Sequence, residues 1–221
     1  MRVAVARPLP VGVEGPEAAA LADRISRAVD ADAWARTGAV RWRMFGASYL
    51  WDRERNLVRY EDGKGVVLTE GWRPMGRAFR DGAQVGGAWK DERVAKAYAE
   101  FVNASFWAFA PFKLEDTGAA LSVVPDGLLV TYPSGGVTPG DAYQWEIAAD
   151  GTPTAWRMWV SVLPLPGARA TWADWVTLPT GARVATTRHL GPVTLRVEEL
   201  QAGTLAEIWD GEDPFAAMMG P

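Results

Sequence analysis

The chain has no cysteine, and only one histidine, His189, among its 221 residues. Disulfides, thiolate metal centres, cysteine nucleophiles and a lipid-anchored cysteine are therefore excluded, and so is a metal site built from several imidazoles. No apolar run reaches the roughly 18 residues that a membrane-spanning helix needs. An excess of positive charge is missing too. Lys+Arg number 23 against 27 Asp+Glu, a net charge of −4, so a concentrated basic face for nucleic-acid phosphates is not expected. There is no glycine loop ending in Lys-Ser/Thr and no Gly-x-Ser-x-Gly elbow. The Gly-rich stretch 82–87 lacks the strand-then-helix setting of a dinucleotide site.

What is present is ordinary in bulk and unusual in one respect. Apolar residues make up 48% and charged residues 23%, close to the average of globular domains, which excludes disordered, collagen-like and coiled-coil chains. A chain of this length is one to one-and-a-half average domains and can bury roughly 70% of its unfolded surface. The unusual feature is tryptophan, at 12 residues.

Residues 1–15, with Pro8, Pro10, Gly12 and Gly15, read as an irregular lead-in. Arg7, Pro8 and Pro10 break the apolar stretch that a secretory signal requires. Cytoplasmic residence and export after removal of a preceding segment both fit. Residues 16–36 have helical spacing, with Pro16 and Glu17 suited to the first turn and Leu21, Ile25, Ala28 and Val29 on one side. From residue 39 the period changes to two. Val40, Trp42 and Met44 share one face and Arg41 and Arg43 the other, which predicts a half-buried strand. Short strands follow at 48–51, 57–60 and 66–69, then a loop over 71–89 with one strand near 76–80. A second helix is predicted over 90–109, burying Val94, Ala97, Tyr98, Phe101 and Ser105 behind a solvated opening of Lys90, Asp91, Glu92, Arg93 and Lys96. Pro111 stops it. The rest reads as strands at 120–124, 127–132, 142–148, 154–162, 170–178, 183–189 and 193–200. They are separated by turns such as Asp126-Gly127, Ser134-Gly135-Gly136, Asp150-Gly151 and Pro166-Gly167. A tail follows at 211–221, with a short helix at 215–219.

The sum is ten to twelve strands and two main helices. No strand–helix–strand alternation occurs, so the fold class is mainly β (α+β). The expected architecture is one large curved antiparallel sheet whose apolar face is covered by the two helices. Residues 16–210 read as a single domain. That face carries tryptophan and methionine, and an aromatic, Met-containing wall suits an adaptable apolar site. The candidate lining residues are Trp42, Met44, Tyr49 and Trp51 from the early strands, Phe101 and Trp107 from the second helix, and Trp145, Trp156 and Met158 from the later strands. Plain core is the competing reading for each of them. The candidates for acid–base chemistry are the turn carboxylates Glu115, Asp116 and Asp141 together with His189, which reads as a surface histidine on a strand. Asp at a turn usually bonds its own backbone.

Three stretches carry a family resemblance. The first is Tyr49-Leu50-Trp51-Asp52 followed by Leu57-Val58-Arg59-Tyr60. The second runs from Phe106-Trp107-Ala108-Phe109-Ala110-Pro111 to Phe112-Lys113-Leu114-Glu115-Asp116-Thr117-Gly118. The third is Gly136-Val137-Thr138-Pro139-Gly140-Asp141-Ala142-Tyr143. With the order helix, strands, helix, strands, the chain resembles the LolA/LolB-like lipoprotein-carrier superfamily over roughly residues 16–205. The resemblance implies an unclosed β-barrel with helices as a lid over an apolar cavity. It also implies non-enzymatic binding of lipid or lipoprotein acyl chains in the periplasm or cell envelope, with a lipid or acylated protein as partner, envelope proteins as possible partners, and no cofactor. No functional residue of the carriers transfers to a position in this sequence. The alternatives are an enzyme acting on a small hydrophobic molecule through Asp116, Asp141 or His189, and a solid-core β-domain that binds protein.

Overall fold

The computed structural model describes residues 6–133, 140–161 and 166–219. The expected turn Ser134-Gly135-Gly136 and residues 162–165 lie outside them. In chain order the described residues form helices α1 (Pro16–Val29) and α2 (Ala31–Ala35), then strands β1 (Ala39–Met44), β2 (Ala47–Asp52), β3 (Leu57–Asp62), β4 (Gly65–Glu70), β5 (Gly76–Arg80) and β6 (Ala83–Val85). Helix α3 (Gly87–Phe109) follows, then β7 (Ala120–Val124), β8 (Gly127–Tyr132), β9 (Asp141–Ile147), β10 (Pro153–Trp159), β11 (Ala168–Thr171), β12 (Ala173–Thr177), β13 (Arg183–Leu190), β14 (Val193–Arg196), β15 (Glu198–Gly203) and the short helix α4 (Leu205–Ile208).

The protein is mainly β, but its strands form two antiparallel sheets instead of the one expected. Seven strands pair in the order β15-β1-β2-β3-β4-β5-β6. The others pair as β12-β13-β11-β10-β9-β8-β7, with β14 also on β13. Among the described residues neither sheet closes into a barrel. The chain divides into two compact units, one around each sheet. The first comprises residues up to Trp34, Ala108–Thr177 and Gly181–Arg196. The second comprises Ala35–Trp107, Leu178–Thr180 and Val197 onward.

Each unit is a sheet with a helix on it. In the first, α1 lies on β7, β8 and β13. Its buried stripe is Ala18, Ala22, Ile25 and Val29, a helical spacing that sets small residues against the strands. Leu21 and Ala28, expected on that stripe, flank it half-buried. The expected 16–36 helix is two helices because Asp30 takes a left-handed conformation (φ 54°). Its Oδ1 accepts from the Ala33 N–H at 2.9 Å and so opens α2. In the second unit α3 starts at Gly87, earlier than its charge pattern suggested, and lays Val94, Ala97, Phe101 and Ser105 inward. Arg93, expected in the solvated opening, is 4% exposed, because it pairs with Asp62 of β3 at 2.6 Å.

Local chemistry explains the hairpins. Phe45-Gly46 and Asp81-Gly82 both have positive φ at two successive residues. That is the twist-matched two-residue turn that joins β1 to β2 and β5 to β6. The expected loop over 71–89 therefore holds a second strand, β6. The expected 170–178 strand is broken at Trp172 into β11 and β12. The expected 193–200 strand is broken at Val197, and its halves enter different sheets. The residues read as a tail include Phe215, fully buried against Leu50, Leu57 and Leu68 of β2, β3 and β4.

Candidate functional site

The nine residues expected to line one site fall in both units. Six belong to the second. Trp42 and Met44 point inward from β1 and Tyr49 from β2, all at most 2% exposed. Trp42 stacks on Tyr49 with ring centroids 4.9 Å apart and meets Phe101 of α3 at 6.2 Å. Trp51 is half-buried, edge-on to Phe101 at 5.3 Å, with its indole N–H donated to Asn56 at 2.8 Å. Trp107 is half-buried near the end of α3.

Beside this aromatic layer lies a charged network. Arg93 donates to both oxygens of Asp62, at 2.6 and 3.1 Å. Lys96 pairs with Glu100 at 2.5 Å and donates to the Tyr60 hydroxyl at 2.8 Å. The same hydroxyl lies 2.6 Å from Glu100 and 2.9 Å from Asp62. Burial works against the Asp62 carboxylate, but hydrogen bonds from Arg93, the Lys64 N–H and Tyr60 outweigh it and hold the group at about 2. Burial, then Glu100 and Asp62, push the Tyr60 phenol up, so it stays protonated at neutral pH and is no general base. Two cations face two anions, although the Arg93 Nε–H is buried with no partner among the described residues. The Tyr49 hydroxyl, 1% exposed, has no hydrogen-bond partner among the described residues. Burial raises its pKa first, then Glu100 and Asp62.

The other three, Trp145, Trp156 and Met158, are in the first unit and at most 1% exposed. They share a sheet face because β9 and β10 are in register, Trp145 opposite Trp156 and Tyr143 opposite Met158. The rings touch: Trp145 to Trp156 at 5.1 Å and Tyr143 to Trp156 at 4.8 Å. Trp172, from the break between β11 and β12, completes the group at 5.1 Å from Trp145 and edge-on at 4.9 Å from Trp156.

Against Trp172 lies Arg188 of β13, which sequence reasoning missed. Its guanidinium carbon is 3.7 Å from the Trp172 ring centroid, and the residue is 0% exposed. Nη1 donates to the carbonyls of Ala185 (2.8 Å) and Thr187 (3.3 Å), and Nη2 to that of Ala108 (3.2 Å). The Nε–H has no partner among the described residues, and the same holds for the indole N–H of Trp145 and of Trp172. Burial alone pushes the Arg188 pKa down to about 9, so it remains a cation at neutral pH. Sequence parity gave no signal for it, since β13 buries residues on both faces, Val184 on one and Ala185 and Thr187 on the other.

The residues considered for acid–base work come from different elements of the first unit. Glu115 and Asp116 are exposed at a turn. Asp141 is not at a turn. It opens β9, 6% exposed, and accepts from the Tyr143 hydroxyl at 3.2 Å and the Ser161 N–H at 3.4 Å. His189 is exposed on β13, with Nδ1 3.1 Å from the Thr194 hydroxyl. Among the described residues no cluster of three or more His, Cys, Asp or Glu could hold a metal ion, and no helix is long and apolar enough to cross a membrane. No protein-family model matches the chain, and no curated protein or solved structure does.

Proposed function

We propose that the protein binds acyl chains of lipids or acylated proteins without chemistry of its own, and that it does so in the periplasm or cell envelope. The observation behind this reading is the face of the first unit made by Tyr143, Trp145, Trp156, Met158 and Trp172. Aromatic rings and a thioether form an apolar surface that adapts to a flexible chain. In this reading the β9–β10 sheet wraps partway round the guest as an unclosed barrel. Affinity comes from burying methylenes, about 0.8 kcal/mol each, so a partly buried 16-carbon chain gains on the order of 10 kcal/mol before ordering costs.

The test is to extract the purified protein with organic solvent, identify any lipid released, and titrate the stripped protein with a fluorescent fatty acid. Co-purified lipid together with saturable, competable binding supports the reading. No lipid and no saturable binding overturns it.

A further inference from the structure

Arg188 is a charge without a counter-charge. Among the described residues no carboxylate pairs with it, and its polar partners are three backbone carbonyls. Among the described residues Nη1 has two acceptors and Nη2 one, and the Nε–H has none. Arg93 also keeps a buried Nε–H with no partner among the described residues, but its charge is met by a bidentate carboxylate, Asp62; the missing counter-charge is what sets Arg188 apart. Buried polar groups without partners are rare, and each calls for a reason. A buried charge is normally paired, because desolvation works against the charged form. Contact with the Trp172 face recovers part of that loss through the ring quadrupole.

The unused donors belong to one connected group. Arg188 touches Trp172, and Trp172 touches Trp145. The guanidinium Nε–H and the two indole N–H groups are buried, without partners among the described residues, and unable to accept. A guest suited to them must accept hydrogen bonds, carry one negative charge to match one cation, and have an apolar body to lie against the rings. A carboxylate on an alkyl chain has all three properties, and its two oxygens fit the planar fork of a guanidinium.

We infer that Arg188 is the anchor for the carboxylate of a free long-chain fatty acid, with the rings of Trp172 and Trp145 beside the head. This rests on the acyl-binding reading and narrows it, because an ester- or amide-linked acyl chain has no such charge. Placing the head requires the cluster to open, since Arg188 is 0% exposed.

The experiment titrates stripped wild-type protein at neutral pH with hexadecanoic acid, its methyl ester, hexadecan-1-ol and hexadecylamine, reading tryptophan fluorescence. The four share a chain and differ in head. The acid is expected to bind about tenfold or more tighter than the ester and the alcohol, the step expected of a charge-assisted hydrogen bond. The amine is expected to bind weakest. In Arg188→Met the advantage of the acid over the alcohol is expected to vanish while the alcohol still binds. The wild-type series stands by itself should that variant not fold. Equal affinities for acid, ester and alcohol, or a preference for the amine, overturn the role of Arg188 and leave acyl binding intact. Failure of all four to bind overturns both.

Discussion

Phe215 gives the sharpest test of how the second unit is held together. It is 0% exposed, although it comes from a segment that reads as a tail. It packs on Leu50, Leu57 and Leu68, with Val66, Phe79 and Trp209 around them. Arg55 holds the approach. Its guanidinium spans Asp213 at 2.6 and 3.0 Å and Asp52 at 2.5 Å, and lies 5.4 Å from the Phe215 ring centre. The Asp213 carboxylate also accepts the Phe215 N–H at 2.9 Å. Replacing a buried Phe by Ala removes the transfer energy of the ring and leaves a cavity, about 3–5 kcal/mol in a closed core. Here the loss has a ceiling: if residues 210–221 undock as a piece, no substitution within them can cost more than that undocking. Phe215→Ala is therefore expected to lose about 3 kcal/mol, as much as deleting residues 210–221. Hydrogen exchange at the amides of β2, β3 and β4 reads this unit by itself, avoiding a single unfolding curve for a chain of two units. Arg55→Ala is expected to lose about 1 kcal/mol alone and almost nothing in the Phe215→Ala background, since both act on one docking event. A loss below about 1 kcal/mol for Phe215→Ala, or strict additivity of the pair, would refute the docking argument.

Two further outcomes follow from single contacts. The folded state holds the Asp62 carboxyl at about 2 against an ordinary 3.8. A lowered folded value means the contribution is present above the unfolded pKa and is lost as pH falls toward the folded one. Wild-type stability should therefore drop between roughly pH 4 and 2 more steeply than that of Asp62→Asn, as followed by acid titration of tryptophan fluorescence, and parallel curves would contradict it. Gly127 has φ 136°, and a Cβ there would stand 2.0 Å from the Trp145 carbonyl oxygen, whereas Gly82 (φ 79°) has nothing within 4 Å of such a Cβ. Gly127→Ala is expected to lose at least about 2 kcal/mol, and Gly82→Ala only about 1. Equal thermal shifts for the two would show that the backbone clash relaxes freely.

Local pattern alone placed most strands and their faces. The alternation Val40, Trp42, Met44 put those residues inward, and all three are buried. That works because side-chain direction in a strand depends only on residue parity. The stop at Pro111 is equally local, whereas the strand after Asp81-Gly82 falls in a stretch that reads as loop. Sheet membership is not local. The run 193–200 alternates as one strand, yet Val193–Arg196 pairs with β13 and Glu198–Gly203 with β1, a choice made by partners distant in sequence. The same holds for Phe215, whose burial depends on a cluster more than 140 positions earlier in the chain. Arg188 depends on both levels. Parity set the side of β13 it faces, but only the folded arrangement set Trp172 over its guanidinium and left its Nε–H without an acceptor among the described residues. Sequence thus determined which residues are apolar, aromatic or charged and which way they point. Tertiary structure decided which of them meet, because pairing energy comes from contacts between segments that local pattern cannot link.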